Sequence, residues 1–301
     1  MIPESFYAPE VRCDWPIDAK MKKVWAKQLD LLQVFMDLCN AHGLRHYALG
    51  GTLIGAVRHK GFIPWDDDLD MGMPRADYEK FVRIANGALS APYFLQTTTT
   101  DTDCFRLFSR LRNANTTGIT GRCHHFRCNN GIFIDIFPLD SYRATLRDRA
   151  MYRYSNFLQR AFEQKMRYKP GKKHSLTGRI LYPISKVINY PKAFESHQRL
   201  CEKISRRQTP ILAQVYTATH TYPLPKMLWQ RADFEQAILL DFECLKIPCP
   251  MGYDRMLTTM YGDYMQFPPV EKRGLHHTIV FDPDTPYKQY CHEHYHVQYD
   301  N

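Results

Sequence analysis

The stretch Gly50-Gly-Thr-Leu-Ile-Gly-Ala-Val-Arg-His-Lys-Gly-Phe-Ile-Pro-Trp-Asp-Asp-Asp-Leu-Asp70 gathers side chains that could do chemistry. Asp66, Asp67, Asp68 and Asp70 put four carboxylates within five positions. Like charges this close repel and raise one another's pKa, so the cluster calls for a counter-cation. In extended backbone side chains alternate, which predicts Asp66, Asp68 and Asp70 on one face and Asp67 on the other. Oxygens in a row suit a hard divalent cation, and Mg²⁺ takes one or two carboxylates together with substrate phosphates. Gly50, Gly51 and Thr52 precede the acids, and small residues let a backbone approach a phosphate closely. Arg58, His59 and Lys60 add positive charge beside them. The pattern predicts metal-assisted phosphate chemistry. The plainer reading is an acidic loop at a strand start, facing water.

A second feature is Gly131-Ile-Phe-Ile-Asp-Ile-Phe-Pro-Leu-Asp140, with Asp135 in the middle of an apolar strand. A carboxylate between Ile134 and Ile136 is costly to bury unless it is paired or bound to metal. It would serve as a third oxygen ligand or a general base, completing a two-metal site. The plainer reading is an aspartate satisfied by a neighbouring arginine.

The elements that must carry these groups can be read from periodicity. Residues 18–42 predict an amphipathic helix, with Asp18 as N-cap and Met21, Trp25, Leu32, Phe35 and Cys39 at helical spacing. His46 to Leu49 is a short apolar run, and Thr52 to Val57 reads as a helical turn or two. Asp68 to Met73 alternates like a strand, and 75–89 returns to helical spacing. Tyr93 to Gln96, Phe105 to Leu111 and Ile132 to Phe137 are strand candidates, with turn-rich segments at 97–103 and 113–118. Residues 144–208 read as helical, with breaks at Pro170-Gly171, Pro183 and Pro191, and 228–262 returns to the core. This alternation predicts an α/β (α+β) fold with a mixed sheet flanked by helices. The chain reads as a single domain over 1–301, its core at 18–140 and 228–280, with 141–227 a basic helical insertion.

Charge is uneven along the 301 residues. Residues 141–210 hold 17 Lys and Arg against 4 Asp and Glu, a net of +13 in a chain of +9, so the remainder sums to −4. Such a block suggests an anionic partner, or simply solvated helix faces. Apolar and aromatic residues interleave with the charges from Arg179 to Tyr190, which suits a segment lying on a membrane surface. No nucleic-acid motif accompanies it, and no nucleic-acid partner is expected. With no apolar run of spanning length and no signal pattern, the expected location is cytoplasmic, peripheral on the inner face of the membrane. The nine cysteines are irregularly spaced, so reduced thiols are expected. The pairs Cys123/Cys128 and Cys244/Cys249 lack the tight spacing typical of zinc sites.

The glycine pair, the element Asp68-Leu-Asp70-Met71 and the later Ile134-Asp135-Ile136 resemble the nucleotidyltransferase fold of DNA polymerase beta. Gly50–Asp70, Phe133–Asp140, Tyr261-Gly-Asp-Tyr264 and Glu271-Lys-Arg273 before His276-His277 more closely resemble the LicD family, over about 30–280. Members move phosphocholine or related alditol phosphates from a CDP-activated donor to a glycan hydroxyl, and fukutin-related protein is a relative. The resemblance implies a nucleotidyltransferase-like core with Mg²⁺ or Mn²⁺ held by Asp68, Asp70 and Asp135, and Asp66 in addition. It implies Gly50, Gly51 and Thr52 on the phosphate side of the donor, and Lys272, Arg273, His276 and His277 as anion binders. The implied partners are CDP-choline or another CDP-alcohol, a glycan or lipid-linked glycan acceptor, and an anionic membrane through 141–210. The implied step is in-line attack on the distal phosphorus with CMP leaving and Asp135 taking the proton. A nucleotidyltransferase using an NTP would share the acids. A non-catalytic membrane or nucleic-acid binder would leave them idle.

Overall fold

The computed structural model describes residues 2–121, 127–167, 175–214, 224–274 and 278–299. An N-terminal hairpin of β1 (Glu10–Arg12) and β2 (Trp15–Ile17) leads into α1 (Ala19–Ala41). The Asp18 carboxylate accepts from the Met21 amide at 2.7 Å, satisfying an end donor of the helix as its position predicts. The buried face of α1, including Trp25, Leu29, Leu32, Phe35 and Cys39, enters the main core. Two of its side chains reach the acidic segment. Trp25 stacks on Phe62 at 4.6 Å, and Gln28 Nε2 donates to the Asp67 carbonyl at 2.9 Å.

Next come β3 (Tyr47–Ala48), α2 (Gly50–Ile54) continuing into a π-helical turn at Gly55–His59, β4 (Asp70–Pro74) and α3 (Arg75–Ala88). They are followed by β5 (Tyr93–Gln96), β6 (Ser109–Asn113), β7 (Thr117–Thr120) and β8 (Ile132–Tyr142). The basic stretch folds as α4 (Leu146–Arg167), α5 (Leu176–Val187) and α6 (Tyr190–Ser205). The chain then adds β9 (Ile211–Ala213), β10 (Leu228–Gln230), β11 (Ala237–Phe242), β12 (Leu245–Pro250), α7 (Tyr253–Tyr261), β13 (Thr278–Asp282) and α8 (Tyr287–Tyr295).

The result is a mixed α/β fold built around β8. Parallel β4 lies along one edge of β8 and carries antiparallel β3. The other edge is shared: β6, with β5 beyond it, pairs with Ile132–Ile136, and β9, with β10 beyond it, pairs with Asp140–Tyr142. Pro138 falls between the two partners. The Asp135 amide donates toward β4, to the Leu69 carbonyl, so alternation turns position 138 to the opposite edge. A missing N–H there forfeits no ladder bond. Near the C-terminal end of β8 a second acid is paired: Asp140 accepts both Nε and Nη2 of buried Arg75 from α3, at 2.7 and 2.6 Å.

Several boundaries differ from the periodicity. The strand expected from Asp68 begins at Asp70, and the one expected at Phe105–Leu111 lies at Ser109–Asn113. Phe105 and Leu107 serve a different purpose: they pack with Leu158, Tyr190 and Phe194 beneath the helices. Strand β7 lies partly in a segment read as turn, because its partner β13 is remote in sequence. Pro183 sits inside α5, whereas Pro191 occupies the first turn of α6, where its lost N–H is harmless. Pro170-Gly171 lies outside the described residues. Among the described residues, no helix is long and apolar enough to cross a membrane.

Candidate active site

The acids meet through strand register. In the parallel β4–β8 pair Asp70 lies opposite Asp135, and in the antiparallel β6–β8 pair Asp135 lies opposite Arg110. Residues 66–69 are irregular, yet their burial alternates: Asp67 and Leu69 are buried, while Asp66, Asp68 and Asp70 are half-buried. One carboxylate oxygen each from Asp68, Asp70 and Asp135 fall within 4.8 Å of one another, as do oxygens of Asp66, Asp67 and Asp68. Asp67 turns inward. Its Oδ2 accepts the Thr278 amide at 2.8 Å, so it anchors the start of β13 to the acidic segment.

The glycines are required by the carboxylates themselves. A Cβ at Gly51 would stand 2.4 Å from Asp66 Oδ2, and one at Gly50, where φ is +50°, would stand 2.9 Å from Asp70 Oδ2. The Tyr261 hydroxyl lies 3.7 Å from the same Gly50 position. Thr52 is buried, and its hydroxyl oxygen accepts the Asp70 amide at 2.7 Å. The Gly-Gly-Thr turn thus cradles two acids and fixes where β4 begins.

Burial, then the neighbouring Asp68 and Asp67, push the Asp66 carboxyl well above the usual carboxylate range. Burial, then Asp68, Asp135 and Asp66, do the same to Asp70, with Arg110 opposing. Arg110 donates Nε and Nη2 to Asp135 at 2.5 and 3.1 Å, and its guanidinium lies 3.6 Å over the Phe133 ring. Its Nη1 is buried and has no hydrogen-bond partner among the described residues. Sequence reasoning left Arg110 out of the site. The available signal was Ser109-Arg-Leu-Arg112, two arginines alternating with an apolar residue in a strand-like run. Three convergent carboxylates, with Asp70 among them and Asp66 beside them destabilised as anions, form an all-oxygen donor set that fits a hard divalent cation.

The LicD/FKTN/FKRP nucleotidyltransferase domain matches residues 43–179, which include the glycine turn, the acidic segment and Asp135. The lipopolysaccharide cholinephosphotransferase LicD of Haemophilus influenzae is 28% identical over 270 residues, covering 85% of this chain and 97% of that protein. Residues 43–179 carry the LicD-family domain. Among shorter similarities, the human ribitol 5-phosphate transferase FKRP is 45% identical over 38 residues, 13% of this chain and 8% of that one. An uncharacterized protein of Rickettsia typhi is 37% identical over 89 residues, 26% and 29% of the two chains.

Beside this LicD-like acidic motif, the cations read next to the acids form a separate cluster, reached through Trp65. Arg58 donates Nη1 to the Tyr264 and Gln266 carbonyls at 2.6 and 3.0 Å. His59 stacks on Phe267 at 5.6 Å, and burial, then Arg58 and Arg12, lower its pKa to about 4. Arg273 lies 4.5 Å over the Trp65 ring and donates to the Pro268 and Cys13 carbonyls at 3.0 and 3.1 Å. Lys60 and Lys272 are exposed. His276 and His277, like Cys123, lie outside the described residues. Cys244 is exposed at the β11–β12 turn whereas Cys249 is buried within β12. Among the described residues, the groups that could hold a metal are all carboxylate.

The loop between the two clusters is clamped from outside. Glu243, at that same turn, accepts the Phe62 amide at 3.0 Å and both Nη atoms of Arg12, at 2.5 and 2.9 Å. A side chain at Gly61 would collide with this carboxylate, 2.1 Å away. The β1 and β11–β12 hairpins thereby hold the loop that delivers Asp66–Asp70.

Proposed function

We propose that this protein is a metal-dependent phosphotransferase that moves phosphocholine, or a similar alcohol or alditol phosphate, from a CDP-activated donor to a glycan hydroxyl. The observation that carries this reading is the convergence of Asp68, Asp70 and Asp135 within 4.8 Å. The names of the LicD and FKRP relatives, a cholinephosphotransferase and a ribitol 5-phosphate transferase, support the class of group transferred. We read the fold as a nucleotidyltransferase-like core acting as one catalytic domain, with α4–α6 inserted. The acceptor would be a cell-surface polysaccharide or glycolipid, lipid-linked at the time of transfer. Peripheral attachment to an anionic membrane through 141–210 would bring the enzyme to it.

Asp68, Asp70 and Asp135 would hold Mg²⁺ or Mn²⁺, with Asp66 supporting Asp68. The cation, when bound, would neutralise diphosphate charge and favour departure of CMP. The protein's own groups do the rest. The acceptor hydroxyl attacks the distal phosphorus, the bond to the CMP oxygen breaks, and the hydroxyl proton passes to a carboxylate of the cluster. The Arg110 fork holds both Asp135 oxygens in one orientation, which suits a ligand better than the proton acceptor its strand position suggested. The Gly50–Gly51 turn leaves the open side of the acids free of Cβ atoms.

The test is CMP release from CDP-choline, CDP-ribitol and CDP-glycerol with a glycan acceptor and Mg²⁺. A second reading, nucleotidyl transfer from an NTP, is kept open by the nucleotidyltransferase domain match. Pyrophosphate from an NTP, without CMP from any CDP-alcohol, would replace the first reading with the second.

A further inference from the structure

Helix α5 is packed inside out. The residues it buries are Gly178 and Ser185, and a side chain at Gly178 would stand 2.7 Å from Gln164 Oε1 of α4. Small residues therefore bring the two helices together. The opposite side carries Leu176, Ile180, Pro183, Ile184 and Val187, whose spacing places them on one helical face. Leu176 is 74% exposed, Ile180 55%, Ile184 39% and Val187 83%. A helix of a soluble protein turns such a stripe toward its core.

The borders of the stripe indicate what covers it. Exposed Arg179 and Lys186 flank it, and the Lys186 ammonium lies 4.6 Å over the Tyr182 ring. An apolar face edged by Lys, Arg and Tyr is the pattern of a helix lying in the bilayer interface. The surrounding 141–210 stretch carries +13, which complements an anionic leaflet and opposes a second copy presenting the same charge.

We propose that α5 is a membrane-insertion helix. Leu176, Ile180, Ile184 and Val187 enter the boundary between headgroups and acyl chains of an anionic bilayer, while Arg179 and Lys186 stay with the lipid phosphates. The inference rests on the peripheral attachment proposed above and adds a named element with an apolar contribution. Charge attraction alone fades within a Debye length as salt rises, whereas apolar burial persists.

The full-length protein is sedimented with phosphatidylcholine vesicles, with and without phosphatidylglycerol, at low and high salt. Wild type should bind the anionic vesicles and keep part of that binding at high salt. Ile180→Glu with Ile184→Glu should weaken binding roughly tenfold or more, while Leu239→Glu, on an exposed strand position elsewhere, should not. Ile184→Trp should gain a blue-shifted emission component on adding vesicles, a readout that does not need the charged variant to fold. Binding that vanishes at high salt, with the Glu variant matching wild type, would leave attachment standing and overturn insertion by α5. Absence of wild-type binding would overturn both. A dimer in light scattering that the Glu variant dissociates would assign the face to a second copy instead. None of these outcomes bears on CMP release from a soluble donor and acceptor, so the transfer reading is tested separately.

Discussion

Asp70 and Asp135 are direct register partners in the parallel pairing of β4 with β8. Sixty-five positions apart in sequence, they approach because Leu69 accepts the Asp135 amide at 2.8 Å and Thr52 accepts the Asp70 amide at 2.7 Å. The same β8 residue faces Arg110 across its other edge, so one strand position joins two acids and a cation.

That arrangement separates the acids by mutation. Asp68→Asn and Asp70→Asn remove charge without changing size and should each lower CMP release by orders of magnitude, a loss of several kcal/mol in the transition state. In chelator, the same variants should melt above wild type, because they relieve repulsion. Asp135→Asn should also abolish turnover but melt below wild type, because Arg110 loses its buried partner. Melting curves in chelator and in Mg²⁺, beside rate measurements, check this. If all three variants melted alike in chelator, the assignment of repulsion and pairing would be wrong.

Arg110→Gln should destabilise the fold by about 3–5 kcal/mol, the usual consequence of breaking a buried pair from one side. Arg110→Lys should recover only part of this, since an ammonium cannot span both Asp135 oxygens. Denaturant unfolding measures both. Equal stability of the Lys variant and wild type would show that the fork geometry is immaterial.

Gly51→Ala puts a methyl group 2.4 Å from Asp66 Oδ2, and Gly50→Ala adds a left-handed backbone strain. Both should reduce the upward shift of melting temperature produced by Mg²⁺ or Mn²⁺, and reduce turnover with it. Gly87→Ala is the control, because nothing lies within 4 Å of its Cβ position. A cation-induced shift that survives in Gly51→Ala would argue against the glycine cradle.

Asp67 offers a contrast within the same motif. Asp67→Asn keeps an oxygen for the Thr278 amide and should cost little, whereas Asp67→Ala strands that amide and should cost about 1–3 kcal/mol. Denaturant unfolding of both variants checks the difference.

His197 makes stability depend on pH away from the acids. It is fully buried in α6, its Nε2 lies 2.8 Å from Ser155 Oγ, and burial, followed by nearby Arg75, lowers its pKa to about 3. In the unfolded chain the same imidazole takes a proton near pH 6.5. Its contribution is therefore complete above about pH 6.5 and is lost progressively as pH falls toward 3. His197→Gln should flatten the melting temperature across that window relative to wild type. Parallel acid slopes for the two proteins would place the dependence elsewhere.

Sequence alone determined the features that depend on neighbours along the chain. The Asp18 cap and the buried stripe of α1 follow from helical spacing, and burial alternates from Asp66 to Asp70 as expected, although the segment is irregular and Asp67 is held by the remote Thr278 amide. The need for small residues at Gly50 and Gly51 was legible too, and the protein atoms nearest them are the Asp70 and Asp66 carboxylates. The tertiary structure alone decided what depends on pairing across long loops. Periodicity says that Asp135 lies in an apolar strand, but only the ladders of β8 give it Asp70 on one edge and Arg110 on the other. Hydrophobic spacing identifies α5 as amphipathic, but only its packing on α4 shows the apolar side facing out. Strand register and helix orientation are set by contacts between segments tens of residues apart, and a linear pattern carries each segment's preference without its partner.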